Sequence, residues 1–221
     1  MQRISPDRSN RPVVALAAIG CLLFAGLAVA QEDAYLDPSA PLEQSSAGNV
    51  VQQAKMLYGQ GMRSLDKAAK MIVKAEAEDS EAKAGKLMKK AVAAREGAVQ
   101  NFMQALRLEP EMIEAYVGLG QAFRQLGKYQ EALEIHAIAL RRDESSMENF
   151  QGWAESLMEL NLLGNATQAY AAYVEAGSPR AEILMGEMKK WLEARRADPG
   201  EMDPEHVERM AEWMAEQNQG G

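Results

Sequence analysis

The residue types that most often carry catalysis are scarce in this 221-residue chain. It contains two histidines, His136 and His206, and a single cysteine, Cys21. The segment His206-Val207-Glu208 does not extend into the H-E-x-x-H zinc motif, and neither a Gly-x-Ser-x-Gly motif nor a Gly-rich phosphate loop occurs. We therefore predict a protein that is not an enzyme, with no catalytic residues, no metal ligands and no cofactor.

Methionine is the one residue type that suggests metal chemistry, because the chain has 14 of them. Met185 and Met188, and likewise Met210 and Met214, have the spacing that places thioethers on one helix face, and soft sulfur binds Cu(I). Methionine is also a common filler of gaps in hydrophobic cores. Core packing is the favoured interpretation, and a methionine-based periplasmic copper carrier is the alternative.

The N-terminal segment, residues 1–30, has the pattern of a secretory signal. Three arginines precede an uncharged apolar run over residues 13–30, which ends Ala28-Val29-Ala30. A basic head, an apolar middle and an A-x-A end predict a signal peptide that is cleaved after Ala30, and a periplasmic or secreted protein. If uncleaved, the run is long enough to anchor an assembly factor in the inner membrane. Cys21 gives only a loose match to a lipid-attachment box.

Cleavage would leave an acidic, cysteine-free chain. It removes three Arg and one Asp, so the formal charge changes from −8 to −10. Such a chain is repelled by nucleic acid, so no nucleic-acid partner is expected. Residues 31–49 contain Pro38, Pro41 and a Ser45-Ser46-Ala47-Gly48 tract, which predict a flexible linker.

Residues of similar size recur at intervals of 34 along the rest of the chain, which is a strong sign of a repeat architecture. The series are Ala98, Ala132 and Ala166; Phe102, His136 and Tyr170; and Ala105, Ala139 and Tyr173. Pairs with the same spacing are Tyr116 and Phe150, Leu119 and Trp153, Gly120 and Ala154, and Phe123 and Leu157.

Each unit is predicted to form two helices. Tyr116, Leu119, Gly120 and Phe123 have the spacing of one helix face. Leu126-Gly127 ends that helix, because glycine accepts the left-handed backbone of a helix stop. The second helix runs from Tyr129 to Leu140, and its inward residues are Ala132, His136, Ala139 and Leu140.

The pattern Tyr116-x2-Leu119-Gly120-x2-Phe123, followed by Ala132-x3-His136, resembles the tetratricopeptide repeat, with Pro110 closing the preceding unit. The resemblance implies an all-α, right-handed α-solenoid of antiparallel helix pairs. Its repeats span residues 111–144 and 145–178, and capping helices follow over residues 179–221. His136, Glu144 and Ala154 depart from the family pattern.

The first unit, residues 50–110, departs most from the pattern. Its second helix fits, but the nearest match to a first helix is Tyr58-Gly59-x2-Met62, far upstream. This spacing predicts an insertion of about 27 residues, from Asp66 to Val92, that lengthens both arms of the hairpin and folds back near Glu78-Asp79-Ser80.

The resemblance also implies a function. In this family the first helix of each pair lines a concave groove that holds a peptide or a partner helix. Helix periodicity turns the following residues toward that groove: Glu114, Val117, Gln121, Arg124, Gln151, Glu155 and Met158. The prediction is a scaffold or adaptor that binds a protein or peptide partner in the bacterial cell envelope, and no small-molecule substrate. A homodimer is a further option, since Trp213 lies off the apolar stripe of the last helix.

Overall fold

The computed structural model describes residues 47–200 and 202–219, and within them the fold is all-α, as predicted. Eight helices follow one another along these residues and pack as sequential pairs. They are α1 (Ala47–Glu76), α2 (Glu81–Leu108), α3 (Ile113–Gln125), α4 (Tyr129–Arg142), α5 (Met147–Glu159), α6 (Leu163–Glu175), α7 (Arg180–Ala197) and α8 (Pro204–Gln219).

The predicted signal peptide and most of the predicted linker lie outside the described residues. The end of that linker, at Ala47, Gly48 and Asn49, instead forms the start of α1. None of the described helices is long and apolar enough to cross a membrane.

Helices α1 and α2 form a long antiparallel hairpin. At 1.5 Å per residue, the 30 residues of α1 extend about 45 Å. The turn occupies residues 77–80, where the backbone N–H of Ser80 donates to Glu78 Oε1 at 3.3 Å. The buried or half-buried positions on α1 include a series at intervals of four and three, a spacing typical of two packed antiparallel helices. The members of this series are Ala54, Tyr58, Gly61, Leu65, Ala68, Ile72 and Ala75.

The predicted helix stop at Leu126-Gly127 is present. Gly127 has φ of +72°, and the N–H of Lys128 donates to the carbonyl oxygen of Phe123 at 2.9 Å. Asn161 is the equivalent residue of the next unit; it has φ of +56° and ends α5 in the same way. Asparagine is one of the few residues other than glycine that tolerates this left-handed backbone.

The core is built in two parts that share α4. Ala132, Ile135 and Ala139 of α4 pack with α1, α2 and α3, whereas Leu133 and Ala137 pack with α5, α6, α7 and α8. The residues predicted to face inward are buried in both helices of the repeat: Tyr116, Leu119, Gly120, Phe123, Ala132, His136, Ala139 and Leu140. Opposite faces of α4 therefore join the hairpin to the C-terminal helices.

An aromatic ring held between two helical glycines occurs twice in this core. The ring of His136 lies between Gly120 and Gly152, where a Cβ on either glycine would come within 2.4 Å of the imidazole. The ring of Phe102 lies in the same way between Gly61 and Gly118. Glycine at these positions lets neighbouring helices clamp a flat side chain.

This clamp corrects the predicted register of the first unit. Gly61, rather than Gly59, plays the part that Gly120 plays in the next unit, because a Cβ on Gly59 would meet only Arg63. The stretch of chain from Gly61 to Phe102 is longer than the stretch from Gly120 to His136 by 25 positions.

Candidate functional site

Helices α3, α5 and α7, the first members of three successive pairs, contact one another in order and form a continuous layer. A cleft of about 570 Å³ opens at the end of this layer. Its walls come from α3, α5 and α7 together with the first residue of α4. The lining residues are Arg124, Gln125, Tyr129, Glu155, Met158, Glu159, Glu187, Lys190, Trp191, Ala194 and Arg195.

One wall of the cleft carries an ion pair between two successive helix pairs. The Arg124 guanidinium on α3 pairs with the Glu155 carboxylate on α5, and Gln151 Nε2 donates to the Oε1 atom of Glu155 at 3.0 Å. Both charged side chains are about one-quarter exposed, so solvent screens the pair only in part. The carboxylate therefore has a defined position from which to accept a hydrogen bond from a ligand.

The opposite wall carries a second ion pair. Glu187 is 8% exposed, and its Oε1 atom accepts from Lys190 Nζ at 2.7 Å. This hydrogen bond to Glu187 raises the pKa of Lys190 above its ordinary value. A buried carboxylate with a charged partner avoids most of the cost of desolvation. The ammonium of Lys190 remains largely exposed and points a positive charge at solvent.

The floor of the cleft is apolar, with polar atoms at its edge. Trp191 is 5% exposed, and its indole N–H donates to Asn161 Oδ1 at 2.9 Å, which fixes the ring plane. Met158 is also buried and lines the same cleft. Arg195 Nε is buried without a hydrogen-bond partner among the described residues. Burial raises the pKa of the Tyr129 hydroxyl, and the charge of Glu159 adds to the effect.

The structure brings together only some of the residues predicted to bind a partner. Arg124, Glu155 and Met158 line the cleft, and Met158 forms part of its floor rather than a free contact. Gln151 stands just outside and orients Glu155.

The other three predicted residues lie along α3, away from the cleft. Val117 and Gln121 are half-buried, and Glu114 is exposed. Burial raises the pKa of Tyr58, and the negative charges of Glu114 and Glu148 raise it further.

Sequence reasoning missed the contribution of α7, which was predicted only as a cap. Lys190, Trp191 and Arg195 all come from this helix. A signal was available, because Gly118, Gly152 and Gly186 follow one another at the repeat interval and align α7 with α3 and α5. Tyr129 was also missed, because it begins the second helix of its pair.

The methionines of the copper alternative lie in the core. Met185, Met188, Met210 and Met214 are between 0% and 7% exposed and pack in the cluster that contains Trp191. Gap filling is the role that this burial supports. Among the described residues no group of three His, Cys, Asp or Glu side chains has the arrangement of a metal site.

Trp213 is half-buried rather than free. Its ring meets Tyr170 edge-on at 5.5 Å between centroids. Tyr170 follows Phe102 and His136 in the series at intervals of 34, but its ring packs toward α8. Gly186 has open space where a Cβ would be. Tyr170 of α6 therefore packs against α8 instead of lying between two glycines.

Comparison of the chain with known proteins gives no match to a family model, to a curated protein or to a solved structure.

Proposed function

We propose that this protein is a non-enzymatic adaptor that binds an extended segment of a partner protein in the cleft between α3, α5 and α7. The observation that carries the proposal is the pre-set arrangement of this cleft. An ion pair on each wall is fixed in place, and between them lies an apolar floor of Trp191 and Met158. Apolar sites with a few fixed polar groups are typical of binding surfaces.

The side chains of the walls are suited to binding a peptide rather than to catalysing a reaction. Glu155 offers carboxylate oxygens to backbone N–H groups, and Lys190, which the buried Glu187 holds, offers a donor to a backbone carbonyl or a carboxylate. The small part of the buried Trp191 ring that lines the floor offers an aromatic contact for an apolar side chain. A segment with one apolar anchor flanked by polar backbone fits these three features together.

The fold that presents the cleft is, in our proposal, a right-handed α-solenoid like that of tetratricopeptide repeats. Two observations support it: the fixed interval between equivalent positions of successive units, and the rings of Phe102 and His136 clamped between those units. A place in the cell envelope rests on the signal-like sequence of residues 1–30.

A crosslinking pull-down from native cell envelopes tests the proposal. The baits are the full chain, a cleft variant with Arg124→Ala, Glu155→Ala and Lys190→Ala, and a control with Lys128→Ala and Glu144→Ala, two exposed residues outside the cleft. We expect the full chain and the control to capture the same proteins and the cleft variant to lose them. Equal capture by all three baits would rule out the cleft as the binding site.

A further inference from the structure

Charge is divided unevenly between the two ends of the molecule. Residues 47–108, which form the α1–α2 hairpin, contain 11 Lys and Arg against six Asp and Glu, a formal charge of +5. Residues 109–219 contain 10 Lys and Arg against 21 Asp and Glu, a formal charge of −11. The basic hairpin is therefore attached to a strongly acidic body.

The outer half of the hairpin also exposes apolar side chains. Val73 is 65% exposed, and Met88 and Val92 are 42% and 41% exposed. Met88 and Val92 lie on α2 between its start at the turn and Phe102. Helix α3 covers Phe102, at the end of the hairpin that is far from the turn. The cover ends at Arg95, whose Nη1 donates to the carbonyl oxygen of Gln125 at 2.7 Å. Beyond that point the helix is open to solvent on this side.

An acidic stripe lies at the other end of the molecule, on α8. Glu205, Glu208, Glu212 and Glu216 are exposed and have helical spacing. The hairpin belongs to the first part of the core and α8 to the second, and no extensive packing joins these two elements within the described residues. Two of the four glutamates have partners within the chain, Glu208 with Arg196 and Glu205 with Arg209, and both pairs are exposed. The basic hairpin and the acidic stripe therefore do not neutralise each other within one chain.

We propose that the hairpin of one copy binds the acidic stripe on α8 of a second copy, and that the contact is reciprocal. Pairing hairpin with hairpin or body with body would oppose like charges, so only the hairpin-to-body contact is favoured. An antiparallel arrangement satisfies both hairpins at once and gives a closed two-fold dimer.

The available area is that of a weak dimer held mainly by charge. About 14 residues of α2 extend past Arg95 to the turn, which is about 20 Å, and the stripe lies on the single helix α8, which is about 10 Å wide. Each contact therefore covers about 200 Å² on each partner. Two reciprocal contacts bury about 800 Å² in total, which is the size of a weak, salt-dependent interface.

A charge-swap experiment on the full chain tests this dimer. One variant carries Lys70→Glu, Lys86→Glu and Lys89→Glu on the hairpin, and the other carries Glu205→Lys, Glu212→Lys and Glu216→Lys on α8. All six residues are exposed, so both variants are expected to keep the helix content of the unmodified chain by circular dichroism. Molar mass is measured by sedimentation equilibrium at low and high salt.

The proposal makes a distinct prediction for each sample. The unmodified chain is a dimer at low salt and dissociates as salt rises. Each variant alone has a dimer dissociation constant raised by about tenfold or more, and the equimolar mixture of the two variants forms a heterodimer again. A monomeric unmodified chain at low salt would overturn the proposal, as would variants that dimerise alone or a mixture that stays monomeric. Binding of the monomeric chain to phosphatidylglycerol vesicles through the same lysines would assign the hairpin to a lipid surface instead.

This dimer does not depend on the proposed cleft function. The cleft variant, with Arg124, Glu155 and Lys190 changed to Ala, is expected to dimerise as the unmodified chain does. Loss of partner capture with the dimer intact would separate the two sites.

Discussion

Because the ring of His136 is held between two glycines, we predict that one added methyl group next to it lowers the stability of the protein. In Gly152→Ala the new Cβ would be 2.3 Å from His136 Nε2. The ring has no room to retreat, because a Cβ position on Gly120 lies 2.4 Å from it on the opposite side. His136 is also tied at its other nitrogen, where Nδ1 is 3.1 Å from Asn149 Oδ1. The methyl group therefore forces helices α3 and α5 apart.

Two opposing terms set the size of the effect. Replacing glycine by alanine inside a helix stabilises by about 0.5–1 kcal/mol, because the unfolded chain loses conformational freedom. Overpacking a close-packed core costs about 1–3 kcal/mol. The matched control is Gly97→Ala, in the interior of α2, where nothing lies within 4 Å of the added Cβ. The control should raise the free energy of unfolding. The change in this free energy caused by Gly152→Ala should be about 1–3 kcal/mol less favourable than the change in the control, and this difference is the steric cost alone.

Urea unfolding followed by circular dichroism at pH 7 measures both free energies of unfolding. His136→Ala and the double variant Gly152→Ala with His136→Ala complete a double-mutant cycle. Without the ring the added methyl group should cost less than it does beside the ring, and the difference is the coupling between the two positions. If Gly152→Ala is as stable as Gly97→Ala, the ring does not occupy the space between the glycines and the clamp is refuted.

Three further predictions concern the same chain. Burial lowers the pKa of His136 from 6.5 to about 4, with Arg124 adding to the effect. Neutral His136 therefore makes its full contribution to the free energy of unfolding above pH 6.5. That free energy falls by about 3 kcal/mol through this group as the pH drops to 4. His136→Phe, which carries the type of ring that Phe102 places in the equivalent slot, should lack this increment when unfolding is compared at pH 7 and pH 4.5; identical pH profiles would contradict the assignment. Leu184→Ala, at a fully buried position, should lower the free energy of unfolding by about 2–5 kcal/mol, and a loss below about 1 kcal/mol would show that the site is not part of the core. Arg124→Ala should change stability by less than about 1 kcal/mol, since its ion pair is partly exposed, yet should weaken partner capture in the pull-down; unchanged capture would show that Arg124 is not needed.

The sequence indicated local features well. The stop at Gly127 and the buried face of Tyr116, Leu119 and Phe123 were both found, because helix ends and amphipathic faces depend on residues within a few positions of one another. The same spacing rules gave the wrong glycine in the first unit. Gly59 and Gly61 lie close together on one helix, and only the position of Phe102, on the following helix, distinguishes them.

The candidate site could be predicted from the sequence only in part. Arg124 and Glu155 could be placed on the first helices of their pairs from periodicity, but their ion pair joins residues of two different helix pairs. Trp191 reaches the cleft floor because its indole N–H bonds to Asn161, which ends a different helix. Nothing local to Lys190 or Arg195 marks them as part of the same site.

The sequence by itself determined the helices, their stops and the repeat interval, because short-range hydrogen bonding and periodic burial fix these features within each segment. The tertiary structure decided which glycines clamp a ring, how Tyr170 closes on Trp213, and how the cleft forms. These outcomes depend on the distances between helices that are far apart in the chain. A difference of about 1 Å in that packing determines whether a ring, a methyl group or solvent fills the space.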